Sequence, residues 1–126
     1  MEPSIIMGQS YTLDSGEVAV DGDLALVDSA SGNAVAGQVG TGLVLLGTFD
    51  IGQQYTVTGD GTKKVRIKFF QPGQVAPCTA TGTAPKAGST VYVSGPSSVT
   101  ADSTGASVAG VVVKVDGSTF YVRPAV

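Results

Sequence analysis

Short apolar runs, each broken by Gly, Asp, Asn or Ser, set the pattern of this chain. Their alternation predicts strands over residues 10–13, 18–20, 24–28, 34–37, 43–49, 55–58, 64–70, 90–94, 98–101, 108–115 and 119–123. Breaks fall at Asp14-Ser15-Gly16, Asp21-Gly22-Asp23, Ser31-Gly32-Asn33, Gly59-Asp60-Gly61, Gly95-Pro96 and Asp116-Gly117. Gly accepts positive φ and Asp tolerates it, so Asp-Gly pairs suit hairpin turns. The clearest hairpin runs from 111–115 through Asp116-Gly117 to 119–122. Strands of this length, with turns at this spacing, belong to sandwiches and barrels.

The chain resembles itself in two places. Gly22-Asp23-Leu24-Ala25-Leu26-Val27-Asp28 is similar to Gly88-Ser89-Thr90-Val91-Tyr92-Val93-Ser94. Gly42-Leu43-Val44-Leu45-Leu46 is similar to Gly110-Val111-Val112-Val113-Lys114, at intervals of 20 and 22 residues from the first glycine. Two related β-modules produce such a pattern, and so does any Gly- and Val-rich β-protein aligned loosely with itself. Residues 71–86, with Pro72, Pro77 and Pro85 among Thr and Ala, read as an extended connection between halves or as a strand crossing between sheets. The organisation expected is an N-terminal arm or first strand over 1–8 and one β-domain over 9–126, with halves 9–70 and 87–126 joined by 71–86. The fold class expected is all-β, a small barrel or sandwich of short antiparallel strands.

Composition agrees. Nineteen Val and thirteen Thr stand against six Leu, and 18 Gly and 6 Pro are spread along 126 residues. Val and Thr favour a pleated surface, and long helices do not tolerate that density of breakers. The net charge of −3 argues against a nucleic-acid partner. No apolar run reaches the length that spans a bilayer, and residues 1–7 lack the pattern of a signal peptide. The lone Cys78 makes no intramolecular disulfide, as expected of a chain made in a reducing cytoplasm.

Candidate chemistry is sparse. The chain has no His and no Trp, which removes the commonest general base and neutral metal ligand. Cys78 lies between Ala76-Pro77 and Thr79-Ala80, which offer no charge to lower its pKa. Most carboxylates sit in turns, where local backbone bonding accounts for them. Asp21-Gly22-Asp23 lacks the rest of a calcium loop. Gly37-Gln38-Val39-Gly40-Thr41-Gly42 is followed by no basic residue or helix, so it is not a phosphate cradle. The expectation is a non-enzyme without cofactor or metal.

Charge is concentrated in one place. Lys63-Lys64-Val65-Arg66-Ile67-Lys68-Phe69-Phe70 holds four of the seven basic residues. In a strand, Lys64, Arg66 and Lys68 share one face while Val65, Ile67 and Phe69 share the other. Such a row either meets an acidic partner or guards a solvated strand against aggregation. Its face has few aromatics, so single-stranded nucleic acid is a poor fit.

The second half carries a family resemblance. Ala87-Gly88-Ser89-Thr90-Val91-Tyr92-Val93, then Gly110-Val111-Val112-Val113, then Val115-Asp116-Gly117-Ser118-Thr119-Phe120-Tyr121-Val122-Arg123 resemble the capsid decoration, or cement, proteins of tailed phages. The resemblance spans most of residues 9–126 as a pattern, and the 63–70 stripe has no counterpart in it. It implies a virion protein on the capsid exterior, made in the bacterial host cytoplasm, that binds the major capsid protein between subunits and stabilises the shell. It also implies a homotrimer or homodimer with no direct nucleic-acid or membrane contact. Lys63, Lys64, Arg66 and Lys68, with Ile5, Ile6 and Met7 of the N-terminal segment, are the expected partner contacts. Other expectations are a tail or fibre-base module, or a carbohydrate-binding β-module using exposed aromatics.

Overall fold

The computed structural model describes residues 6–52 and 55–125. They form twelve strands and no helix. The first seven are β1 (Gly8–Thr12), β2 (Val18–Val20), β3 (Leu24–Asp28), β4 (Ala34–Ala36), β5 (Leu43–Phe49), β6 (Thr56–Thr58) and β7 (Lys64–Phe69). The remaining five are β8 (Ala76–Thr81), β9 (Thr90–Gly95), β10 (Ser98–Thr100), β11 (Val108–Asp116) and β12 (Thr119–Pro124). One sheet has the order β1-β7-β5-β3-β4, a closed barrel has the order β10-β8-β12-β11-β9, and β2 and β6 form a separate ribbon. Pairing is antiparallel except where β8 and β10 close the barrel in parallel.

The two larger assemblies are the same ladder built twice. Replacing β1, β3, β4, β5 and β7 by β8, β9, β10, β11 and β12 turns one strand order into the other. Irregularities repeat too. Ala25 faces Gly47 and Leu26 faces Leu45, so Leu46 is the extra residue of a bulge. Val91 faces Gly110 and Tyr92 faces Val108, so Ala109 is the extra residue of the matching bulge. The parallel closure of the barrel, which includes Val99 beside Ala80, survives in the first sheet as one bridge between Leu13 and Ala34.

This register corrects the repeat read from sequence. Gly22 and Gly88 are equivalent, with φ of 85° and 91°. The partner of Gly110, however, is Gly47 rather than Gly42. A Cβ on Gly47 would collide with the Lys68 carbonyl, and one on Gly110 with the Arg123 carbonyl. Both positions need glycine because a neighbouring backbone fills the side-chain space.

Residues 71–86, read as a connection or as a strand crossing between sheets, contain a strand, β8, which belongs to the barrel. Pro77 lies in that strand, which weakens the sequence signal. It is tolerated because its missing N–H falls on the side away from β12. At the last hairpin, Asp116 pairs with Thr119, so the two loop residues are Gly117 and Ser118. Gly117 has φ 61°, as a Gly-first type II′ turn requires.

Burial follows from the alternation. Leu13, Ala19, Ala25, Ala34, Phe49, Val65 and Ile67 form the first core. Their equivalents in the barrel include Val91, Val99, Val112, Phe120 and Val122. Leu24, Leu26, Val35, Leu45 and Phe70 of the first half join this second cluster. β3 is therefore apolar on both faces, Ala25 and Val27 toward one core and Leu24 and Leu26 toward the other. Its unbroken Leu24-Ala25-Leu26-Val27 run has that cause. The Leu24 N–H donates to the Pro96 carbonyl at 2.7 Å, and the Ser107 hydroxyl donates to the Gly40 carbonyl at 2.7 Å.

Candidate functional site

β7 places Val65 and Ile67 in the core at 2% and 0% exposure, and turns Lys64, Arg66 and Lys68 to solvent. Lys63 precedes the strand, and its carbonyl accepts the Leu13 N–H at 2.8 Å. Across the face, Lys64 lies opposite Thr12, Arg66 opposite Ser10 and Lys68 opposite Gly8. On the other flank Thr48 lies opposite Lys68. The outcome is a sheet face with a central cationic row whose partners Gly8, Ser10, Thr12 and Thr48 are small and uncharged.

Asp50 tempers that row. Its Oδ2 accepts the Arg66 Nε–H at 3.2 Å, with the two side chains 50% and 45% exposed. Among the described residues this is the one ion pair, so Lys64 and Lys68 stand uncompensated. The Arg66 guanidinium lies against Gly8, where a Cβ would meet Nη2 at 2.7 Å. Gly8 thereby gives the arginine head room to extend over β1.

The barrel lacks an equivalent face. Thr119, Tyr121 and Arg123 occupy the positions of Lys64, Arg66 and Lys68, as the pairing of Phe120 with Cys78 and of Val65 with Tyr11 requires. Lys114 there stands 5.4 Å from the Tyr121 ring centroid, a cation–π distance. The basic row belongs to one copy of the repeated ladder only.

The N-terminal candidates divide. Ile6 and Met7 are 61% and 47% exposed. The Met7 carbonyl accepts the Phe69 N–H at 2.9 Å, which ties this residue to the sheet just before β1. Ile5 lies outside the described residues.

Other chemistry-bearing groups are dispersed. Among the described residues no three Cys, Asp or Glu side chains gather as metal ligands. Cys78 is buried, and burial pushes its thiol pKa up to about 11. Asp60 is held below the usual carboxylate range by the Thr62 hydroxyl and by backbone N–H groups. Asp102 is lowered by bonds from Thr104. Burial raises Asp23. A cleft of about 410 Å³ beside Gln71, Gln74, Val111 and Arg123 is lined by no carboxylate.

Sequence reasoning found the cationic row but missed Gly8, Ser10 and Asp50, whose roles depend on strand register. No protein-family model matches the chain, and neither the curated proteins nor the solved structures include a match.

Proposed function

We propose that this chain is a non-enzymatic virion protein that binds the outer surface of a phage head between capsid subunits and stabilises the shell. The observation that carries this reading is the Lys64, Arg66 and Lys68 row on an exposed sheet face of a net-acidic chain. Such a face steers toward an acidic protein surface and sets the register of docking. The family resemblance of residues 87–93, 110–113 and 115–123 supplies the identity of that surface, the major capsid protein. Exposed Val44, Val108, Val113 and Val115, each 43–50% exposed, support self-association as a homotrimer or homodimer. The site of action is then the capsid exterior, after synthesis in the bacterial cytoplasm.

Expanded, undecorated heads provide the test. The protein is expected to bind them, raise their melting temperature and increase resistance to rupture. A Lys64→Glu/Lys68→Glu variant should bind more weakly, with the difference shrinking in high salt. Heads that take up no wild-type protein would refute the reading.

A further inference from the structure

We propose that the open edge of β1, with Arg66 laid over Gly8, takes up an extended acidic segment of a protein partner as a sixth strand of the first sheet. This rests on the reading of the Lys64–Lys68 row as the partner face, but it does not require the partner to be a capsid.

Backbone direction identifies the edge. Phe69 donates to the Met7 carbonyl, and Leu13 donates to the Lys63 carbonyl. Odd-numbered residues of β1 therefore point their N–H and C=O groups at β7. The even-numbered residues Gly8 and Ser10 point theirs the opposite way. Asp14 shows the same parity, since its N–H leaves β7 and reaches the Ala34 carbonyl at 2.9 Å. Beyond the Leu13–Ala34 bridge no described strand lies beside β1 on that side.

The duplicated ladder provides a comparison within one chain. β8 occupies the place of β1, and β10 covers its edge at Thr79, Ala80 and Thr81, the counterparts of Thr12, Leu13 and Asp14, where the first copy has its Leu13–Ala34 bridge. Ser10 corresponds to Pro77, and Gly8 to Val75. Pro is a common means of blocking an edge because it offers no N–H. The first copy has Gly8-Gln9-Ser10-Tyr11-Thr12 instead, with neither Pro nor charge. At the counterparts of Gly8 and Ser10 the barrel's edge is blocked by Pro77, while the first copy keeps its N–H groups there with no described strand beside them.

Charge selects the occupant. A strand added beside β1 would lie roughly 10 Å from β7, two interstrand spacings. The side chains in between are those of Gly8, Ser10 and Thr12. These are short enough for Lys64, Arg66 and Lys68 to reach across. Carboxylates at alternate positions of the incoming strand would meet that row, while main-chain bonds to Gly8 and Ser10 supply the alignment.

The full chain, labelled with ¹⁵N, is titrated with a synthetic extended peptide alternating Glu and Val. Binding should slow hydrogen exchange at the Gly8 and Ser10 amides. It should fail with a peptide carrying Lys for Glu, and with one N-methylated at the residues that face β1. Ser10→Pro copies the barrel's own solution, so it should keep the fold while binding the Glu peptide about tenfold more weakly, the loss of one net hydrogen bond. Should that variant unfold, the N-methylated peptide on the wild-type chain decides alone. Equal binding of N-methylated and parent peptides would overturn strand addition while leaving the basic face as a partner face. No binding of the Glu peptide would overturn the inference, and head binding that still depends on Lys64 and Lys68 would show that the wider reading survives. A concentration-dependent dimer abolished by Ser10→Pro would assign the edge to a second copy and overturn it as well.

Discussion

Gly47 and Gly110 occupy one position in two ladders, each facing the carbonyl of the strand beside it, Lys68 in one case and Arg123 in the other. Alanine at either site must push two hydrogen-bonded strands apart. Gly47→Ala and Gly110→Ala are each expected to lower stability by about 1–3 kcal/mol, the usual cost of overpacking. Urea unfolding monitored by circular dichroism measures it. A change below the resolution of that experiment at both sites would contradict the bulge geometry.

Cys78 should behave as a buried, unreactive thiol. Its pKa is about 11 in the folded chain, above the ordinary 9.0. The folded state holds this proton more tightly, so the stabilisation is fully present below pH 9.0 and is lost as pH rises toward about 11. A thiol reagent at neutral pH should leave the folded protein unlabelled and react once urea unfolds it. Rapid labelling of the native chain would count against the placement of β8.

Acid should act through two turns. Asp60 accepts from the Thr62 N–H at 2.8 Å, the Thr62 hydroxyl at 2.7 Å and the Lys63 N–H at 3.1 Å. Asp102 accepts from the Thr104 N–H at 2.9 Å. Both pKa values lie below 3.8 in the folded chain. Their contribution is therefore present above pH 3.8 and disappears as pH falls through the lowered folded values. Urea midpoints measured from pH 6 down to about pH 2 should fall less steeply for Asp60→Asn/Asp102→Asn than for the wild type.

The Arg66–Asp50 pair should matter little for folding. Both side chains are about half exposed, and such pairs contribute roughly 0.2–1 kcal/mol. Asp50→Asn removes the carboxylate that competes for Arg66. The expected result is a near-unchanged urea midpoint together with tighter binding to an acidic partner, measured by calorimetric titration. A large loss of stability would mean that the pair holds β5 and β7 together.

Much of the ladder was legible in the residues. Lys64-Val65-Arg66-Ile67-Lys68 alternates so regularly that the strand and both of its faces follow from period two alone. The Leu24–Val27 run was readable as a strand, but its apolarity on both faces made sense only once two cores were seen to share it. Residues 71–86 left connection and strand equally open, because Ala76, Pro77 and Ala80 carry weak strand preference and Pro77 is tolerated only by facing away from β12. The second glycine of the repeat was misplaced for a related reason. Gly42-Leu43-Val44 looks like Gly110-Val111-Val112, yet the structural match to Gly110 is Gly47, defined by a carbonyl from a distant strand. The Arg66–Gly8 relationship was equally invisible, since it depends on which residue of β1 lies beside which residue of β7.

β3 has a consequence for how the molecule comes apart. Leu24 and Leu26 belong to one core while Ala25 and Val27 belong to the other, so neither copy owns the strand. Opening the first sheet would strip the barrel's cluster of Leu24, Leu26, Val35 and Leu45, and opening the barrel would expose the back of the first sheet. A chain assembled from two equivalent units then unfolds in a single step. Its calorimetric and van't Hoff enthalpies should coincide, and heating should not leave the barrel standing after the first sheet has melted.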